Sequence, residues 1–201
     1  ALYEIGEKAT NEFKSYMVGI GKAINEEVDV YFGVEYFEFD YASRYDAVRE
    51  GKNAIGSAGN SSSGARDATS IFAEGGYTPH EELTLSASIR HDDYSDFGTA
   101  FSWRLGGKYD LMDNLFVRAS YGSNFIPPDM VSLYGADSEG YPFTIDYVAC
   151  DEVGTAEADC KGRQYASYYQ SNSNLDAETS DNFSLGLIYD PLDSLRLRVE
   201  Y

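Results

Sequence analysis

Hydrophobic side chains recur at every second position in seven stretches of the chain, the period of a β-strand with two unlike faces. Val28, Val30, Phe32, Val34 and Tyr36 alternate with Asp29, Tyr31, Gly33 and Glu35. The same alternation runs through 71–77, 83–89, 101–109, 115–121, 183–189 and 195–201. An eighth strand over about 12–22 is weaker, with Tyr16, Val18 and Ile20 on one face. In the seven clear strands the apolar face has 30 positions and no charge, whereas the other has 27 positions and 10 charges. Soluble sandwiches also alternate, so two further regularities carry the inference.

Connection lengths alternate too. Short turns fall near 22–27, 78–82, 110–114 and 190–194, and longer loops near 40–69, 91–99 and 123–181. Aromatic residues also sit at strand ends on the apolar face. Tyr77, Tyr109 and Tyr189 mark the short-turn end; Tyr36, Phe101, Tyr121, Phe183 and Tyr201 mark the other. Two aromatic girdles around an aliphatic band suit a bilayer and its interfaces. The pattern predicts an all-β fold: an antiparallel transmembrane β-barrel segment of about eight strands, with short periplasmic turns and long extracellular loops. Glu35, Glu74, Arg90, Arg104, Arg118, Arg196 and Arg198 would then be lumen-facing. Strand direction puts both ends of the 201-residue chain outside, so further strands are expected before Ala1 and after Tyr201.

Composition narrows the partners. With 34 acidic and 15 basic residues the net charge is −19, which argues against a nucleic-acid partner. No apolar run approaches the roughly 20 residues of a membrane-spanning helix, a limit that says nothing about strands.

Four segments resemble TonB-dependent outer-membrane receptors. These are YFGVEYFEFD at 31–40, SIFAEGGYTPHEELTLSASIRHDDYSDFG at 70–98, LGGKYDLMDNLFVRASYGSNFIPPDMVSLYG at 105–135 and NSNLDAETSDNFSLGLIYDP at 172–191. Their order and spacing match part of that barrel. Phe125, Pro127, Asn172, Asn174, Leu175, Glu178 and Thr179 keep the family pattern, while Ile126 replaces a usual Arg, and Ser173 and Ala177 replace prolines. The bland role of the matching residues is to guide a loop back into a strand through local side-chain bonds to backbone. The resemblance implies a receptor in the outer membrane of a Gram-negative bacterium. There it captures a scarce small-molecule ligand, such as a ferric siderophore, cobalamin or oligosaccharide, at its extracellular loops. It further implies, as partners, outer-membrane lipid, a plug domain of the same full-length protein, and the TonB complex, reached through an N-terminal region outside this chain.

The remaining chemistry is sparse. Cys150 and Cys160, with nine residues between them in the longest loop, are the only cysteines. A disulfide is expected in the oxidising cell-surface setting, and a subgroup of the resembled receptors carries a Cys pair in this loop. A ring of this size is worth roughly 3 kcal/mol in the chain-entropy picture. His80 in a short turn and His91 on the apolar-face parity have no nucleophile at readable spacing, so no catalytic residue is assigned. No cofactor or metal site is assigned either. Asp92, Asp93 and Asp96 read as a solvated acidic loop tip, with a divalent cation as the alternative. Residues 52–68 read as a small-residue polar loop. From Tyr134 through Asp181 there are ten acidic and two basic residues, which favours cationic or metal-bearing ligands over anions or simply keeps the loops solvated. The expected function is nutrient uptake, not enzymatic. The alternatives are a small closed barrel with a structural or adhesive role, and a soluble acidic β-sandwich binding module.

Overall fold

A computed structural model describes residues 6–51, 53, 59–154, 156, 159–192 and 194–201. Its long strands are β1 (Glu7–Ala23), β2 (Val28–Tyr45), β3 (Ser62–His80), β4 (Leu83–Tyr94), β5 (Gly98–Met112) and β6 (Leu115–Ile126). The long loop holds four short strands, β7 (Ser138–Gly140), β8 (Phe143–Thr144), β9 (Arg163–Gln164) and β10 (Ser167–Tyr169). After it come β11 (Glu178–Leu192) and β12 (Leu195–Glu200). The eight long strands make one sheet in the order β1-β2-β3-β4-β5-β6-β11-β12. The fold is all-β, as the alternation predicts. Among the described residues, three α-helices of four to six residues, α1 (Ala47–Glu50), α2 (Met130–Tyr134) and α3 (Tyr147–Glu152), lie in the loops.

The ladder keeps each predicted face together. Ile89 pairs with Ala73 on one side and Trp103 on the other, while Arg90 pairs with Phe72 and Ser102. Phe183 pairs with Tyr121 within one girdle, and Tyr189 with Leu115 and Leu197 near the other. The apolar face is the exposed one: Phe32 is 54% accessible, Ile89 52%, Leu105 55% and Leu187 44%. The polar face includes the most buried side chains of the sheet, Ser70 and Asp92. A soluble sandwich has the opposite arrangement, because its uncharged face must leave water.

Strand lengths correct three sequence expectations. Residues 40–45 and 62–68 are strand, belonging to β2 and β3, not loop. The connection expected over 91–99 shrinks to Ser95–Phe97, with Gly98 closing it at φ 98°, a conformation that favours glycine. His80 is the last residue of β3, paired with Leu83. Strands of 18 and 19 residues exceed the 9–11 that cross a bilayer. Past Tyr36 the parity that was apolar passes to Glu38 and Asp40 while Phe37, Phe39 and Tyr41 take the other, so the two faces of β2 exchange polarity although the backbone goes on pairing. Of the polar stretch 52–68, residues 52 and 54–58 lie outside the described residues.

The short-turn ends repeat one device. Thr78, Asp110 and Asp190, each following a girdle tyrosine, donate their backbone N–H to Glu27, Glu82 and Asn114 in the turn of the preceding hairpin, at 2.7–2.8 Å. The ladder shifts register at the same places, between Tyr77 and His80, Asp110 and Met112, and Tyr189 and Leu192. The Asn25 side chain accepts from the N–H groups of Glu27 (3.0 Å) and Val28 (2.7 Å), a local turn bond that sets the first hairpin.

The chain forms two compact units. A sheet unit comprises 13–39, 66–128 and 174–201; a loop unit comprises 1–12, 40–65 and 129–173.

Candidate functional site

In the sheet unit, alternation places Glu35, Glu74, Arg90, Arg104, Arg118, Arg196 and Arg198 on the polar face, and the structure joins several of them. Arg90 donates to Glu35 through Nη2 (2.8 Å), to Asp92 through Nε (2.8 Å) and to the Ser70 hydroxyl (2.8 Å). Ser70 donates in turn to Asp92 at 2.5 Å, and Ser15 to Glu35 at 3.0 Å. Three strands thus meet through one guanidinium, whose planar fork suits several acceptors at once, and β1 joins them through Ser15 on Glu35.

A second cluster lies at β5, β6, β11 and β12. The register sets Lys108 opposite Arg118, a repulsive placement. Carboxylates relieve it: Asp110 pairs with Lys108 at 2.8 Å, and Glu200 accepts from both Arg118 and Arg198. Arg196 holds Asp190 through two bonds of 2.7 Å. Arg104 reaches the Ser120 hydroxyl at 3.4 Å and, with Glu74, Arg90 and Ser102, lines a polar hollow of about 270 Å³.

The acidic tip is not solvated as the sequence predicts. Asp92 is 1% exposed and held by Ser70 and Arg90. Asp96 forms a buried pair with Arg66 at 2.8 Å, with side-chain exposures of 5% and 7%. Arg66 also donates to the Pro128 carbonyl at 2.8 Å and lies over the rings of Tyr94 and Phe97. Tyr94 packs edge-on against Phe37 and Phe125. Two of the three carboxylates are therefore structural anchors, and no metal-ligating cluster of three occurs among the described residues.

The family-pattern residues come together from two distant segments. Phe125 pairs with Thr179, and Ile126 with Glu178, at the end of the β6–β11 ladder. Pro127 follows that end of β6, while Asn174 and Leu175 precede β11. In the loop unit the Asn172 N–H donates to the Ser132 carbonyl at 2.8 Å.

The loop unit is organised by acidic caps. Asp46, Asp129 and Asp146 accept backbone N–H bonds at the starts of α1, α2 and α3. The Ser132 hydroxyl and then its N–H hold the Asp129 carboxyl below the usual carboxylate range; for Asp46 the leading cause is the Gly6 N–H. Cys150 and Cys160 form a disulfide with Cα atoms 6.0 Å apart. The two-stranded ladder of β7 and β10 pairs Glu139 with Tyr168 and Ser138 with Tyr169. Beside it lies a hollow of about 480 Å³ lined by Gly59, Asn60, Asp137, Glu139, Tyr168 and Gln170, among others.

Arg66 and the tyrosines of β10 are absent from the residues picked out in the sequence. Arg66 sits in a polar stretch with no contrast between faces. Asp92 and Tyr94 were within reach, since they continue the parity of Arg90 along β4. Tyr168 and Tyr169 adjoin each other in an aperiodic loop and carry no such signal.

The family model described as "TonB dependent receptor-like, beta-barrel" matches residues 7–201. Solved structures agree in fold. The crystal structure of a G324V mutant of the ferric enterobactin receptor PfeA from Pseudomonas aeruginosa matches with TM-score 0.68 and 21% identity, over 96% of this chain and 26% of that one. The siderophore receptor PirA from Acinetobacter baumannii matches with TM-score 0.68 and 18% identity, over the same shares. The RagAB peptide transporter matches with TM-score 0.56 and 16% identity, over 96% and 23%. The chain thus spans about a quarter of the length of these solved relatives.

Proposed function

Because this chain belongs to the TonB-dependent receptor-like β-barrel family, we propose that it is part of the wall and outer loops of an outer-membrane receptor for active nutrient uptake. One observation carries the reading: the face without charge is exposed and ringed by aromatics, while the opposite face holds paired and partly buried ions. In lipid the first face needs no cover, and a closed sheet leaves no backbone group unpaired. The second face then fronts a lumen, where Glu35, Glu74, Arg90, Arg104, Arg118, Arg196 and Arg198 meet water and a plug domain of the same protein.

In this reading capture is the task of the loop unit, and admission follows when TonB, drawing on the inner-membrane proton gradient, remodels the plug. The work is binding and movement, without a covalent step. Similar proteins bear names of ferric enterobactin, siderophore and peptide systems, so a scarce small solute is the ligand class. The test uses the full-length protein in its native cell. Expected are outer-membrane fractionation and uptake of a labelled nutrient that stops when either the receptor or TonB is deleted. Recovery in the soluble periplasmic fraction, or uptake unchanged by both deletions, would overturn it.

A further inference from the structure

We propose that the hollow beside β7 and β10 is a subsite for a neutral, polyhydroxylated ligand, a saccharide. This rests on the uptake reading and narrows its ligand class. The hollow of about 480 Å³ falls within the size range of small-molecule sites. Two kinds of group line it. Tyr168 and Tyr169, 73% and 55% exposed, offer aromatic surface in a loop exposed to water. Asp137, Glu139, Asn60 and Gln170 offer carboxylate and amide groups around it.

These polar groups are oriented by their own neighbours. Asn60 Nδ2 donates to the Asp137 carbonyl at 3.3 Å, and Gln170 Nε2 to the Asp137 carboxylate at 3.5 Å. Glu139 Oε1 accepts from the Tyr141 hydroxyl at 2.5 Å. An ionised carboxylate accepts about four bonds, so each keeps acceptor capacity for ligand hydroxyls. Adjacent hydroxyls of a sugar ring match paired carboxylate and amide acceptors, and the C–H face of the ring packs on tyrosine.

Charge decides against the other ligand classes. No Lys or Arg lines this hollow among the described residues, and two carboxylates do. A phosphate, a sulfate or an anionic ferric catecholate would meet repulsion without a counter-charge. A compact cation would gain from the carboxylates but would leave the amides and most of the ring surface unused.

The experiment uses full-length receptor in detergent, tested on a microarray of neutral oligosaccharides and by calorimetry with the best binder. Binding of a neutral glycan is expected, weakened at least tenfold by Tyr168→Ala and by Asp137→Asn. Tyr168→Phe, which keeps the ring, should stay within threefold of wild type. Ferric enterobactin and a Lys-rich peptide serve as the anionic and cationic probes, and neither should bind in competition with the glycan. Absence of any neutral-glycan binding, equal binding by Tyr168→Ala, or capture of either charged probe at the hollow would overturn the proposal. TonB-dependent uptake that survives Tyr168→Ala unchanged would sink the saccharide subsite alone. A receptor missing from the outer membrane would sink the uptake reading itself.

Discussion

The sheet unit and the loop unit are held by different physics. In the sheet unit a long ladder and one guanidinium shared among strands fix the polar face, while the apolar face depends on its surroundings for cover. In the loop unit, among the described residues, three Asp caps and one disulfide act locally, while two short two-stranded ladders join segments distant in sequence. The contrast separates a sheet held by strand pairing and a shared guanidinium from loops held by caps and a covalent link. Loops positioned by a rigid scaffold are where recognition ordinarily resides.

The sharpest test of this division is Arg66, a sheet-unit residue that does a loop-like task. It joins Asp96, Pro128 and two rings with little exposure. Arg66→Met removes the Arg66 counter-charge from the buried Asp96 carboxylate, a loss of about 3–5 kcal/mol for comparable pairs. Arg66→Met combined with Asp96→Leu should recover most of it. Urea unfolding of the full-length receptor, with proteolysis at 127–130 as a local readout, checks both. Equal loss in the single and double variants would show that Arg66 acts through packing alone.

A second test separates the two faces of β11. Leu187→Arg places a charge on the apolar face and should cost about 2–4 kcal/mol if that position is near the bilayer midplane. Ser184→Arg, on the polar face beside Ser120, should stay under about 1 kcal/mol. Folding equilibria in vesicles give both values. Similar costs would undo the assignment of faces.

The wall was legible where the two sides of a strand face unlike media. From Val28 to Tyr36 the alternation is complete, and the observed β2 follows it. Beyond Tyr36 the contrast reverses, with Phe37, Phe39 and Tyr41 on one parity and Glu38 and Asp40 on the other, so the strand runs on past the point where its faces exchange. The start of β3, small and polar on both sides, hid Arg66, whose burial comes from the tip of the β4–β5 hairpin and from the chain after β6, distant in sequence. Asp92 and Asp96 looked solvated because a run of carboxylates is usually so; only the fold shows which arginines answer them. In the loop unit the cysteine pair was legible from setting and resemblance. The hollow beside Tyr168 was not, since it joins residues 59–60, 137–139 and 168–170 through non-local pairing.

Reduction of the Cys150–Cys160 bond should act within the loop unit. Cys150→Ser with Cys160→Ser should speed proteolysis between 141 and 165 severalfold, with the urea midpoint of the sheet unchanged. A shifted midpoint would mean that the disulfide stabilises the wall as well.

The smallest effect concerns α2, where Asp129 accepts from the Ser132 N–H at 2.9 Å and from its hydroxyl at 2.5 Å. These bonds favour the ionised form and lower the carboxyl's folded pKa. The cap is therefore fully present above the ordinary Asp value of about 3.9 and fades as pH falls through the lowered folded value. Asp129→Ala should cost about 1 kcal/mol at neutral pH, and Asp129→Asn much less, because an amide also caps. Met130 and Leu133, the buried residues of α2, are 5% and 3% exposed, so fraying uncovers apolar surface. Hydrogen exchange over 130–134 should accelerate in wild type as pH is lowered from 5 to 3, after correction for intrinsic rates, and stay flat in Asp129→Ala. An identical pH response in both proteins would place the titrating group elsewhere and leave the cap a neutral contact.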